Sequence, residues 1–147
     1  MGKEEYLLKL RAESQEDLEI LSSFMQDAIV PVGAMQFDQT NDLFRMMTTR
    51  FCWECEPERR KGKTYFQRIK TSLCFKNVTA VKYRGFDRFD LGALFVILHI
   101  RVFDSQHISM TFAGGGEILL SVAAIKCFMQ DIPEIFWTRA KPEHRAA

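Results

Sequence analysis

Residues 93–103 read Ala-Leu-Phe-Val-Ile-Leu-His-Ile-Arg-Val-Phe, and the reading of that run decides the fold. It is nearly all apolar and rich in branched side chains. It is also far too short to cross a bilayer, which takes about 20 residues. A run of this kind predicts a strand buried on both faces, or at least the centre of a sheet. Downstream, residues 107–112 and 117–122 flank Ala113-Gly114-Gly115-Gly116 and predict a hairpin. Upstream, residues 85–92 form a turn region with Asp87 and Asp90. Strand patterns occupy 65–75 and 78–84, with a break near Lys76-Asn77. Earlier still, 32–38 and 43–54 make a hairpin around Gln39-Thr40-Asn41-Asp42, residues that bond their own backbone. In its second arm Met47, Thr49, Phe51 and Trp53 share one face, and Met46, Thr48, Arg50 and Cys52 the other.

Helical signals lie at the two ends. A short strand over 6–11 precedes Ser14, and Asp17 completes a capping-box-like start. From 15 to 28, Leu18, Leu21, Met25 and Ala28 fall on one face with Phe24 beside them, and Pro31 stops the helix. Residues 123–132 place Ile125, Phe128 and Met129 at helical spacing before Pro133. Residues 138–147 read as a polar, frayed tail. The expectation is one α+β domain over 1–147. Its sheet is mostly antiparallel and strongly bent, with about seven strands joined by short connections. One helix follows the first strand and another closes the C-terminal end, the element order of pleckstrin-homology-like domains.

Composition narrows the classes. The 147 residues carry 20 Lys plus Arg against 19 Asp plus Glu, a net charge of +1. A dedicated nucleic-acid binder usually shows a basic surplus, so only a local patch keeps nucleic acid open as a partner. The 13 Phe suit sheet faces in a large core. No basic segment followed by an apolar one opens the sequence, and Tyr6 stands where a myristoylation signal wants Ser or Thr. A cytoplasmic protein with no membrane segment and four reduced cysteines is the simplest expectation.

Three stretches also look familiar: 41–54, 79–87 (Thr-Ala-Val-Lys-Tyr-Arg-Gly-Phe-Asp) and 112–118 (Phe-Ala-Gly-Gly-Gly-Glu-Ile). On them nearly the whole chain resembles a family of small bacterial proteins known only as a domain of unknown function. The resemblance implies no activity, cofactor or site residue.

Each candidate site has an ordinary explanation beside the sharp one. Cys52-Trp53-Glu54-Cys55 has redox and zinc-ligand spacing, but it ends a strand rather than opening a helix, and no second ligand pair accompanies it. Packing as a small hydrophobe explains one Cys and coincidence the other. Gly114 to Gly116 precede a strand, so a hairpin turn explains them better than a phosphate loop. Asp87 and Asp90 serve a turn. His99 reads as a half-buried core residue without a nucleophile–acid set. No catalytic residue, metal site or cofactor is assigned. The dense basic run is the exception: Arg59, Arg60, Lys61 and Lys63, with Tyr65 and Arg68 beyond, form a candidate ligand-binding hairpin, although Glu54, Glu56 and Glu58 offset it. The favoured function is a non-enzymatic interaction module that binds a protein partner or a second copy of itself. An anionic-ligand or nucleic-acid binder working through 59–70 and an enzyme of unrecognised type are the alternatives.

Overall fold

A computed structural model describes residues 7–143. Eleven strands and one α-helix follow in order: β1 Lys9–Ala12, α1 Gln15–Met25, β2 Ile29–Pro31, β3 Met35–Asp38, β4 Leu43–Phe51, β5 Glu58–Arg60, β6 Lys63–Phe75, β7 Val78–Arg84, β8 Leu94–Asp104, β9 His107–Phe112, β10 Glu117–Val122 and β11 Cys127–Thr138. A single 3-10 turn, Val32–Ala34, links β2 to β3. The strands form one antiparallel sheet, ordered β1-β11-β6-β4-β2-β8-β9-β10-β7, with β3 added to β4 and β5 to β6. Residues from both halves of that order, such as Met129 of β11 and Leu120 of β10, share one buried core with Leu18, Leu21 and Met25 of α1. The sheet therefore curls around a single interior that α1 helps to fill.

This corrects the α+β expectation. The protein is mostly sheet, its strands outnumber the expected seven, and among the described residues no helix follows α1 except the 3-10 turn. Residues 123–132 fail as a helix because their burial alternates. Cys127, Met129 and Asp131 are buried, whereas Phe128 and Gln130 point away. That is the period of a strand. Their edge bonds are also claimed on both sides, by β1 (Lys9↔Gln130) and by β6 (Phe128↔Cys74). Pro133, read as a helix stop, falls in the register shift between Asp131 and Ile135, where a missing N–H costs no ladder bond. The pleckstrin-homology-like order falls with the second helix.

Other readings hold in finer detail. Ser14 Oγ accepts from Asp17 N (3.1 Å), and Asp17 Oδ2 accepts from Glu13 N (3.0 Å). The helix ends sooner than expected, at Met25, and Asp27 turns the chain at φ 65°. Asp38 accepts from both the backbone and side-chain N–H groups of Asn41 to close the β3–β4 turn. The β9–β10 hairpin has the expected bounds, and Gly114 and Gly115 take φ of 89° and 100°. Strand β8 does lie inside the strand order, between β2 and β9, but it is not buried on both faces. Leu94, Leu98 and Phe103 are exposed. A register shift between Ile97 and His99 puts Ile97 and Ile100 both inward, so the apolar run exceeds what the core takes up.

Candidate functional site

Four elements meet at the end of the sheet where β4 gives out. Strand β6 runs past the last β4 residue, Phe51, which pairs with Arg68. There β5 takes the place of β4 along β6, with Glu58↔Tyr65, Arg59↔Thr64 and Arg60↔Lys63 in register. On the other side of β6 the end of β11 continues through Trp137↔Gln67 and Thr138↔Phe66. The β5–β6 hairpin thus projects just beyond the end of the β6–β11 pairing, and together they make a ribbon at this end. Lys61 and Gly62 turn its tip at φ 51° and 76°.

The expected ligand-binding residues divide on this ribbon. Arg59, Arg60, Lys61 and Lys63 are exposed, with Tyr65 half-buried below them. Arg59 reaches Thr64 Oγ1 (3.3 Å) and Gly62 O (3.4 Å) across the turn. Arg60 Nε donates to Glu58 (2.6 Å), which raises its pKa, and its guanidinium lies 4.9 Å from the Trp137 ring centre. Arg68 stands apart. Its Nη1 donates to the carbonyls of Asp27 and Thr49 (3.2 Å each), its guanidinium lies against Phe51, and burial lowers its pKa. It holds the loop after α1 to β4. Beside the hairpin, β11 and the residues after it bring side chains that the sequence reading did not count among the binding residues. Phe136 is half exposed, and Lys141 sits 5.9 Å from the Phe66 ring centre. No local sequence signal marks them, because Cys127-Phe128-Met129-Gln130-Asp131 does not alternate apolar and polar residues.

Beneath the ribbon lies a buried charge network. Arg50 is fully buried on the same face of β4 as Met46 and Thr48. Its Nε and Nη2 donate to Asp131 (2.8 and 2.6 Å), and its Nη1 and Nη2 donate to Glu54 (3.0 and 2.7 Å). Asp131 also accepts from Thr71 Oγ1 (2.8 Å) and from Leu8 N (2.9 Å). Burial alone would raise the Asp131 pKa, but the bonds from Arg50 and Leu8 outweigh it and hold the carboxyl below its usual range. Burial likewise works against the Arg50 charge, and the Asp131 and Glu54 bonds more than offset it. The network is a clamp: one guanidinium ties β4, β11 and the turn after β4 together.

That turn carries the Cys-x-x-Cys motif. Cys52 and Cys55 are joined by a disulfide with Cα atoms 5.4 Å apart, which overturns the expectation of four reduced thiols. Cys74 and Cys127 remain free, and burial raises the pKa of both. The turn borders a cleft of about 150 Å³ lined by both cysteines, Phe51, Trp53, Phe66 and Lys141 among others. Ligand atoms of Cys52, Glu54 and Cys55 lie within 4.8 Å of one another. Arg50 already engages both Glu54 oxygens, and the sulfurs are bonded to each other, so the trio is not a ready metal cage.

The remaining candidates keep their ordinary roles. Asp87 accepts from Phe89 N (2.9 Å) in a turn. His99 is half-buried, and its pKa is lowered by burial and by Arg101. Its Nδ1 finds no partner among the described residues. No helix among the described residues is long and apolar enough to cross a membrane.

Fold and surface together define an antiparallel β protein with one packed helix and a basic, aromatic ribbon at one end. The family described as "Protein of unknown function (DUF2948)" matches residues 8–144, and the chain belongs to that family. No curated protein and no solved structure matches it.

Proposed function

We propose that this protein is a non-enzymatic interaction module, and that its ribbon takes an acidic, extended segment of a partner protein. The observation that supports the reading is convergence: the hairpin bearing Arg59, Lys61 and Lys63 is met by the far end of the sequence, where Trp137 lies against Arg60 and Lys141 against Phe66. Arg60 and Lys70 are already paired with Glu58 and Glu134. The four cations Arg59, Lys61, Lys63 and Lys141 form no ion pair among the described residues. So few charges suit a short acidic peptide better than a polyphosphate backbone, whose binding grows with each phosphate neutralised. The net charge of +1 favours the same choice. Strand β5 pairs only with β6 among the described residues, so its other edge offers backbone groups to an added strand.

The test is titration with a Glu-rich extended peptide, and in parallel with a single-stranded oligonucleotide, at low and high salt. Tryptophan emission is the readout. The expected result is peptide binding that weakens with salt and falls at least about tenfold in a chain carrying R59E, K61E and K63E, a loss of about 1.4 kcal/mol. Peptide binding untouched by the triple reversal would refute the reading. So would tighter binding of the oligonucleotide.

A further inference from the structure

The disulfide at the base of the ribbon has more order around it than packing requires. Cys52 N donates to Gln67 O (2.9 Å), and Cys55 N approaches Cys52 O (3.4 Å). Of the two residues between the cysteines, Glu54 is gripped by buried Arg50, and Trp53 Nε1 donates to Gln26 O (3.0 Å) at the end of α1. The turn is thus fixed from both sides by bonds that do not involve sulfur. A cross-link spanning only three positions also constrains the unfolded chain very little, because that effect grows with loop length. Stability is therefore a weak reason for this bond.

Access differs between the two sulfurs' residues. Cys52 is buried and Cys55 is half-buried, and both border the cleft, where Phe51, Trp53 and Phe66 supply apolar walls and exposed Lys141 a positive charge. Burial raises the pKa of the Cys74 and Cys127 thiols, which makes them poor participants in exchange.

We propose that Cys52 and Cys55 form a thiol–disulfide exchange site that accepts electrons from a thiol entering this cleft. An incoming thiolate attacks Cys55 Sγ, the S–S bond breaks, and Cys52 leaves as a thiolate that takes up a proton. A second thiolate attacks the incoming sulfur of the mixed disulfide, expels Cys55, and leaves as the oxidised dimer. Two electrons and two protons pass from two thiols to the pair, and the reverse reaction oxidises it. Lys141 favours the approach of the thiolate. Because the turn is held by Glu54 and Trp53 in either state, reduction leaves the geometry ready to close again. The proposal does not depend on peptide binding at the ribbon.

The test equilibrates the full chain, folded, in buffers of reduced and oxidised glutathione at graded ratios, and counts free thiols by denaturing alkylation and mass. Emission from Trp53, which a neighbouring disulfide quenches, is followed in parallel. The expected result is a single two-electron transition from the two free thiols of Cys74 and Cys127 to four, with emission rising in step. In a Cys52→Ser chain, oxidised glutathione should form an adduct at Cys55, and in a Cys55→Ser chain it should leave Cys52 unmodified. A dithiol protein reductant in place of glutathione tells whether the natural thiol is small or macromolecular, since a cleft built for a protein gives faster reduction at equal potential. The proposal is overturned if the wild-type pair exchanges only when denaturant unfolds the chain. An adduct at Cys52 in the Cys55→Ser chain that matches the one at Cys55 would also overturn the assignment.

Discussion

Replacing Asp131 with Ala should destabilise this protein severely. The substitution removes two bonds from Arg50, one from Thr71 and one from Leu8, and leaves a fully buried guanidinium with only Glu54 as its counter-charge. Breaking a buried, hydrogen-bonded ion pair from one side costs about 3–5 kcal/mol. In urea, with a slope of about 2 kcal/mol/M, the midpoint should fall by about 1.5–2.5 M with the slope unchanged. The assay is equilibrium unfolding followed by emission from the two tryptophans. The Arg50→Met, Asp131→Leu pair should recover most of the loss, because neither charge is then stranded. Acid gives an independent check. The folded carboxyl titrates below its ordinary value, so its contribution is complete above the unfolded value of about 3.9. It is lost as pH falls through the lower folded value. The gap between wild type and Asp131→Ala should therefore hold from neutral pH down to about 4 and close only below that. A midpoint shift under about 0.5 M, or a double variant no better than the single, would refute the clamp.

Three further outcomes follow from local geometry. Ser14→Ala removes the side-chain acceptor at the start of α1 and should cost about 1 kcal/mol by the same assay. Gly85→Ala places a Cβ 2.8 Å from Gly115 O at a φ of +79°. Two backbones must then separate, and a loss of about 1–3 kcal/mol should appear as a lower melting temperature. Leu94→Ser lies at an exposed position and should change stability by less than about 0.5 kcal/mol.

The hairpins were legible in the sequence because each is a local event. Alternation over 43–51 and the Asp38–Asn41 turn are neighbours in the chain, as are β9, the glycines and β10. Strand β11 was not, since Ile125, Phe128 and Met129 fit a helical face as well as a sheet. The partners that arbitrate, β1 and β6, lie more than fifty positions away. The site shows the same division. The basic run and the Cys-x-x-Cys spacing are visible by inspection. Arg50 and Asp131 are 81 positions apart, and only the joint register of β4, β6 and β11 puts them in contact. The sequence places Arg50 on one strand face with Met46, Thr48 and Cys52 but offers no nearby clue to a partner 81 positions on.

The pairing of β1 with β11 also bears on how the chain comes to be folded. Lys9 meets Gln130, and Ala12 meets Cys127. During synthesis the first strand must wait for the last, and α1, which follows it at once, has no finished sheet to lie on until then. Most of the other strand pairs are non-local as well, the regime in which small proteins fold in milliseconds to seconds. Until β11 is made, β1 stays unpaired and one edge of the long strand β6 stays open, the condition in which chains associate with one another. A cell making this protein quickly should find its yield limited by that interval rather than by the stability of the finished fold.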